Sequence, residues 1–223
     1  MKKLVASLML MVTSSTQVFA LSELDNRIWE ASQVLQEYMR IPEESIPPSL
    51  LKEAQAIAIF PSMIKGGFIV AGQYGDGVIL HRDVQTGEWS APSFVRMSGA
   101  SVGLQAGGSA SDVILVVTSE RGVRGLLSNK FTLGADASVA AGPVGRDAEA
   151  KTDWQMKSSI FSYSRSKGLF AGIALDGMVI NQDIKANQEY YGSPLTAEEI
   201  LMQGKATASA EAQKLIQLLK QYV

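Results

Sequence analysis

Apolar residues near both ends of the chain recur every three or four positions, which is the period of an amphipathic helix. Near the start this spacing joins Leu24, Ile28, Ala31, Leu35 and Tyr38. Near the end it joins Ala208, Ala212, Leu215, Leu219 and Tyr222. The pattern predicts a helix at each end of the chain, with one apolar face that packs against other elements.

Residues with capping chemistry indicate where two of the predicted helices begin. Ser22 precedes the first apolar position and is followed three residues later by Asp25, while Pro42 ends this first helix. Thr196 and Glu199 have the same spacing, and Glu199 is expected to reach back to the start of its helix. The sequence therefore predicts an N-terminus for the first helix and for a helix that starts after Thr196.

The middle of the chain consists of short apolar runs that glycine interrupts, preceded by a short helix with Ser49 as its N-cap. The runs predict strands at residues 57–60, 68–73, 78–82, 93–97, 102–106, 113–118, 132–140, 159–164, 169–175 and 178–181. Gly75-Asp76-Gly77 is predicted to form a hairpin turn, and residues 120–127 a helix. We predict an α+β fold: a single domain with an antiparallel sandwich or barrel-like core and helices at its N- and C-terminal ends.

Residues 1–20 have the layout of a secretory signal peptide. Lys2 and Lys3 precede an apolar run at residues 4–12, which is too short to span a bilayer, and Ala20 suits a cleavage site. The chain has no cysteine, so lipid attachment to an N-terminal cysteine is excluded. We predict a mature chain that begins with an amphipathic helix at residues 21–45 and is periplasmic or secreted.

Charge and composition restrict the class of partner. The chain has 223 residues, enough for one globular core, and a net charge of −2. Removing Lys2 and Lys3 leaves 18 basic against 22 acidic residues, a net charge of −4. This balance does not attract nucleic acid, and an anionic partner requires a local patch of cations.

Few residues offer catalytic chemistry. His81 is the only histidine, so a nucleophile–histidine–acid site has to be built around it; the alternative is an ordinary histidine at a strand end. One histidine without cysteine is too little for a zinc site, and no phosphate-binding glycine motif is present. We predict a protein that is not an enzyme and has no cofactor or bound metal.

Several sequence strings occur in a characteristic order between residues 46 and 204. They include Ile57-Ala58-Ile59-Phe60-Pro61, Trp89-Ser90-Ala91-Pro92-Ser93, Thr132-Leu133-Gly134-Ala135-Asp136, Ile160-Phe161-Ser162-Tyr163-Ser164 and Tyr190-Tyr191-Gly192. In this order they closely resemble the SYLF domain family, which includes yeast actin-patch proteins and animal and plant phosphoinositide-binding proteins. The resemblance implies a SYLF lipid-binding domain at residues 46–204, followed by a C-terminal helix at residues 205–223.

The resemblance also implies a non-catalytic, membrane-binding module, with two departures from other members. Some members bind lipid through a basic N-terminal helix, whereas the polar face of the helix at residues 21–45 is acidic on balance. We therefore expect this helix to pack on its own domain rather than insert into a membrane. Because export is predicted, we do not expect actin as a partner and expect other anionic lipids of the cell envelope as ligands.

An anionic lipid headgroup requires clustered cations or backbone N–H groups. The candidate lipid-binding residues are Lys65, Arg121, Arg124, Lys130, Arg165 and Lys167. Each of them can also be an ordinary solvated charge, and the hypothesis is that some of them converge into one patch. Two alternatives to lipid binding stay open: a periplasmic module that binds an envelope protein, and a hydrolase with an unrecognised site around His81.

Overall fold

The computed structural model describes residues 22–40, 45–67, 70–102, 107–144, 158–166, 169–171 and 175–223. Helices in these ranges are Glu23–Met39 (α1), Pro48–Glu53 (α2), Glu120–Leu127 (α3), Ile184–Tyr191 (α4), Ala197–Leu201 (α5) and Ala210–Tyr222 (α6). Strands are Ala56–Gly67 (β1), Val70–His81 (β2), Ser93–Val102 (β3), Gly107–Val117 (β4), Lys130–Thr132 (β5), Val139–Ala141 (β6), Ile160–Ser166 (β7), Leu169–Ala171 (β8) and Val179–Gln182 (β9). The predicted signal peptide at residues 1–20 lies outside the described residues.

All of these strands belong to one sheet, in the order β5-β9-β3-β2-β1-β4-β7-β6, with β8 paired to β7. Neighbouring strands are antiparallel except β6 and β7, which are parallel. The chain passes directly from β5 at one edge to β6 at the other, with a bridge between Leu133 and Ala137. The sheet therefore curls into a half-barrel, which confirms the predicted α+β fold with a barrel-like core and terminal helices.

Alternate residues of the central strands face two different layers of the core. Ile57 and Ile59 of β1 face the layer that α1, α2 and α6 cover. Ala58 and Phe60 face the opposite layer, together with apolar residues of α3 and α5. Because helices cover both faces at its centre, the sheet contains the near-continuous apolar runs seen in the sequence.

The N-terminal helix packs on its own domain. Ser22 is its N-cap, and the Ser22 hydroxyl accepts a hydrogen bond from the backbone N–H of Asp25 at 3.0 Å. The predicted apolar face is buried against the sheet and α6 through Leu24, Ile28, Ala31, Leu35 and Tyr38. α1 therefore uses its apolar face to complete the core.

Two local predictions about the first half of the chain are wrong. Ser49 is not an N-cap: the cap position of α2 is Pro47, which makes no side-chain hydrogen bond, and Pro48 takes the first helical position. Gly75-Asp76-Gly77 is not a hairpin turn either. These three residues lie inside β2, opposite residues 95–97 of β3, and the actual hairpin joins β1 to β2.

A β-bulge in β1 explains two glycines of β2, Gly75 and Gly77. The register between β1 and β2 shifts between Ile59 and Ile64, and Ser62 within the bulge has a positive φ of 51°. A Cβ atom at Gly77 would lie 2.4 Å from the carbonyl oxygen of Ile59, and one at Gly75 would lie 2.5 Å from the Met63 side chain. The two glycines of β2 let the bulged strand β1 lie close to β2. An interpretation of these residues as a turn cannot reveal this contact.

The capping box at α5 is present as predicted. The Thr196 hydroxyl accepts a hydrogen bond from the Glu199 backbone at 3.2 Å, and the Glu199 carboxylate accepts one from the Thr196 backbone at 3.0 Å. Hydrogen bonds from the Lys205 side chain and then from Thr196 lower the pKa of Glu199 from its ordinary 4.5 to about 2. The folded protein therefore stabilises the charged form of the Glu199 carboxyl group.

We expect acidification to remove the contribution of Glu199 to stability. Because its pKa is lower in the folded state, this contribution is complete above pH 4.5 and is lost as the pH falls toward about 2. Thermal unfolding at several pH values in this window should show a smaller loss of stability for Glu199→Gln than for the parent chain. Glu198→Gln, which leaves the capping box intact, is the control, and equal behaviour of the two variants would contradict the assignment.

Candidate functional site

The structure separates the candidate cations into two groups. Arg121, Arg124 and Lys130 lie on α3 and at the start of β5, whereas Arg165 lies on β7 opposite Asp112 of β4. From Asp112 to the end of β4 the strand advances by about 17 Å, and α3 begins only after that end. Lys65 lies on β1 near the same end of the sheet as Arg165, and Lys167 lies outside the described residues.

The first group forms an exposed corner, here called the α3–β5 corner and defined by Arg121, Arg124 and Lys130. A Cβ atom at Gly125 would lie 2.2 Å from the Phe131 ring, so the glycine lets α3 lie directly on β5. Phe131 is buried, whereas Lys130 next to it is exposed. The packing of α3 on β5 therefore brings the two segments that carry these cations together, while Lys130 points to the side of β5 opposite Phe131.

The contacts that these cations make within the domain leave their side chains accessible to solvent. Arg121 donates a hydrogen bond from Nε to the carbonyl oxygen of Asp136 at 3.1 Å. Arg124 pairs with Glu120 one helical turn away, and the two side chains are 72% and 74% exposed. No ion pair of Lys130 is found in the part of the chain that the structure describes. An exposed helical pair contributes only about 0.3–0.5 kcal/mol, so Glu120 holds Arg124 weakly.

Arg165 has a different environment from the corner residues. Its guanidinium pairs with Glu37 of α1 and with Asp112 at 3.5 Å, and it lies 5.9 Å from the centre of the Tyr38 ring. Only 17% of the Arg165 side chain is exposed. These contacts join α1 to β4 and β7, so Arg165 acts in the packing of the N-terminal helix.

A second network of charges holds the start of α1. Arg27 pairs with Asp183 at 3.5 Å and with Asp76 at 3.7 Å, and Arg96 pairs with the same carboxylates at 3.3 and 2.9 Å. Asp183 is also the N-cap of α4 and accepts a hydrogen bond from the backbone of Ala186. The network therefore connects α1, β2, β3 and α4.

Sequence reasoning missed a surface beside the β1 bulge, here called the bulge groove and defined by its two clefts. One cleft has a volume of about 250 Å³ and is lined by Glu23, Asn26, Arg27, Glu30, Pro61, Ser62, Ile64, Tyr74, Gly75 and Asp76. The other, of about 350 Å³, is lined by Trp29, Glu30, Gln33, Val34, Glu37, Pro61, Ser62, Asp112 and Arg165. The sequence signal for this surface is Trp29, a large apolar residue that lies outside the apolar stripe of α1.

His81 is the last residue of β2 and is partly buried. Burial lowers its pKa, and a hydrogen bond with the backbone of Leu201 partly offsets this effect. Among the described residues, no serine or threonine hydroxyl is hydrogen-bonded to the imidazole. The described residues contain no cluster of three or more potential metal ligands, and none of their helices is long and apolar enough to cross a bilayer.

A single α+β domain with an exposed cationic corner and an open groove defines a binding module. The sequence model of the family described as "Ysc84: Las17-binding protein actin regulator" matches residues 98–222. The chain belongs to this family, which confirms the resemblance to SYLF domains.

Curated relatives support this membership. The chain is 39% identical over 181 residues to Protein YSC84 of Saccharomyces cerevisiae, covering 80% of this chain and 38% of that protein. It is 34% identical over 208 residues to SH3 domain-containing YSC84-like protein 1 of Xenopus laevis, covering 90% and 61%. The human protein of the same name is 31% identical over 207 residues, covering 90% and 60%. The chain thus spans about two fifths to three fifths of these longer proteins.

Proposed function

We propose that the protein is a non-catalytic lipid-binding module that holds anionic headgroups at the α3–β5 corner. The observation that supports this proposal is that three exposed cations, Arg121, Arg124 and Lys130, lie on two adjoining elements, α3 and the start of β5. The corner also contains the carboxylates of Glu120 and Asp136, which leaves a surplus of one positive charge in a chain of net charge −2.

The chemistry of the corner suits phosphate groups. Arginine presents a planar fork of donors that matches phosphate oxygens, and charge-assisted hydrogen bonds of this kind are stronger than neutral ones. An arriving phosphate competes with Glu120 for Arg124, and that exposed pair contributes little to stability. The Asp136 carboxylate is a weaker competitor because it already accepts a hydrogen bond from the Thr132 backbone at 2.6 Å.

Cell-envelope lipids are the ligands that this proposal favours. The sequence of residues 1–20 predicts export, and an exported domain encounters anionic phospholipids but not cytoplasmic actin. The family description names Las17 binding and actin regulation, and the relatives with related names are longer than this chain. We therefore propose that this member uses the common domain for lipid binding at the envelope.

Removal of the corner charges should abolish most vesicle binding. Each cation near an anionic membrane contributes about 1 kcal/mol, so three contribute about 3 kcal/mol, roughly a hundredfold in partitioning. We expect the variant Arg121→Gln/Arg124→Gln/Lys130→Gln to bind anionic phosphatidylglycerol vesicles about a hundredfold more weakly than the parent chain. Co-sedimentation of the chain from Leu21 with vesicles of graded anionic content measures the difference.

The control removes the same amount of charge elsewhere. Lys185, Lys205 and Lys214 are exposed cations of α4, the segment after α5, and α6. Their replacement by glutamine should leave vesicle binding within about twofold of the parent if binding is local. Equal losses in the two triple variants would show that net charge alone matters, and undiminished binding of the corner variant would contradict the proposed site.

A further inference from the structure

The β1 bulge places a large apolar side chain in solvent. Phe60 and Met63 both face the second core layer, although they are three residues apart, because the bulge inserts an extra residue between them. The next residue, Ile64, consequently turns to the α1 side of the sheet, where it is 62% exposed. Its partner on β2 is Tyr74, which is 42% exposed.

Beyond Ile64 and Tyr74, the described part of β1 and β2 has an uncovered surface. Gly66 of β1 pairs with Gly72 of β2, and a Cβ atom at either position would meet no atom within 4 Å. Trp29 of α1, which is 44% exposed, lines the neighbouring cleft. The bulge groove therefore combines three large exposed apolar side chains with an open strand surface, and such patches mark interaction sites.

The charges that line the groove select the kind of partner. Five carboxylates, those of Glu23, Glu30, Glu37, Asp76 and Asp112, line the two clefts with only two guanidinium groups. Arg27 and Arg165 pair with Asp76, Glu37 and Asp112 of this set, so the surplus negative charge lies on Glu23 and Glu30, which have no ion pair among the described residues. The groove therefore attracts cations and repels anionic membranes and acidic peptides.

We infer that the bulge groove binds a basic peptide segment of a partner protein, one in which lysine or arginine alternates with large apolar residues. An apolar side chain can pack on the exposed surface that the neighbouring side chains of Ile64 and Tyr74 form. A neighbouring cation can lie over the indole ring of Trp29 and pair with Glu30, which lines both clefts. The two clefts on either side of Pro61 and Ser62 provide separate places for successive side chains of the peptide.

This interaction is independent of the lipid site. The groove is built by α1, β1, β2, β4 and β7, and none of its lining residues belongs to the α3–β5 corner. The domain can therefore hold a membrane at one surface and a basic protein segment at another. Failure of lipid binding at the corner does not affect the outcome expected for the groove.

The test uses isotope-labelled chain from Leu21 and two synthetic ten-residue peptides, one of alternating lysine and leucine and one of alternating glutamate and leucine. In NMR titrations the lysine peptide should shift the backbone amide signals of the groove, including those of Glu30 and Ile64. The glutamate peptide should leave these signals unchanged. Equal shifts with both peptides, or shifts of groove amides by anionic vesicles instead of the lysine peptide, would overturn the inference.

Two variants localise the effect on the protein. Glu30→Lys reverses a charge shared by both clefts and Trp29→Ala removes the exposed indole, and each should weaken binding of the lysine peptide about tenfold. Glu53→Lys, the same charge reversal at an exposed position of α2 outside the groove, should change affinity by less than about twofold. Equal weakening by Glu30→Lys and Glu53→Lys would mean that net charge is responsible, and the groove would be rejected.

Discussion

Replacement of Gly77 by alanine should destabilise the domain by about 3 kcal/mol, the upper end of the usual cost of overpacking a core. The added Cβ atom would lie 2.4 Å from the carbonyl oxygen of Ile59 and 2.5 Å from the Phe60 ring. The Ile59 oxygen belongs to the backbone of the central strand, which pairs with neighbours on both sides and cannot move without disturbing them. Urea unfolding followed by circular dichroism measures the change.

A second glycine of the same strand pair is the matched control. Gly66 lies in β1, the strand that pairs with the β2 strand of Gly77, but a Cβ atom at Gly66 would meet nothing within 4 Å. Gly66→Ala should therefore change the free energy of unfolding by less than about 0.5 kcal/mol, as expected for an exposed position. If Gly66→Ala and Gly77→Ala were equally destabilising, the close approach at the bulge would not be the reason for the glycine.

Replacement of Asp183 by alanine should cost about 3 kcal/mol, since it breaks a largely buried ion-pair network by removing one partner. The side chains of Asp183 and Arg27 are only 9% and 13% exposed. Loss of the carboxylate leaves the Arg27 guanidinium with Asp76 at 3.7 Å and also removes the N-cap of α4. Chemical unfolding of the variant and the parent chain gives the difference.

Asparagine at the same position separates the two contributions. Asp183→Asn keeps a side-chain oxygen that caps α4 but removes the negative charge, and asparagine is as good an N-cap as aspartate. It should recover about 1 kcal/mol of the loss caused by Asp183→Ala, the usual contribution of a cap. Stability of Asp183→Ala equal to that of the parent would contradict the role of the network.

Local sequence information was sufficient for much of the fold. Ser22 and the Thr196–Glu199 pair cap helices where the sequence predicts, because capping depends on residues three positions apart. The error at Gly75-Asp76-Gly77 has a non-local cause. These glycines are required by a bulge on the neighbouring strand, and their sequence is indistinguishable from that of a hairpin turn.

The same distinction applies to the functional surfaces. Arg121, Arg124 and Lys130 could be grouped from the sequence because they lie within one helix and the strand that follows it. The bulge groove could not be predicted, since its walls come from five elements and its exposed Ile64 depends on the register of β1. Periodicity predicts which residues are buried but not where strands extend beyond the helices that cover them.

The most direct measurement of lipid binding at the α3–β5 corner uses single cysteines, which are unique labels because the natural chain has none. Asn129→Cys places an environment-sensitive fluorophore beside Lys130 in the corner, and Gln33→Cys places it in the bulge groove. On addition of anionic vesicles, the account predicts a blue shift and stronger emission at position 129 and an unchanged spectrum at position 33. A response at position 33 without one at position 129 would contradict it.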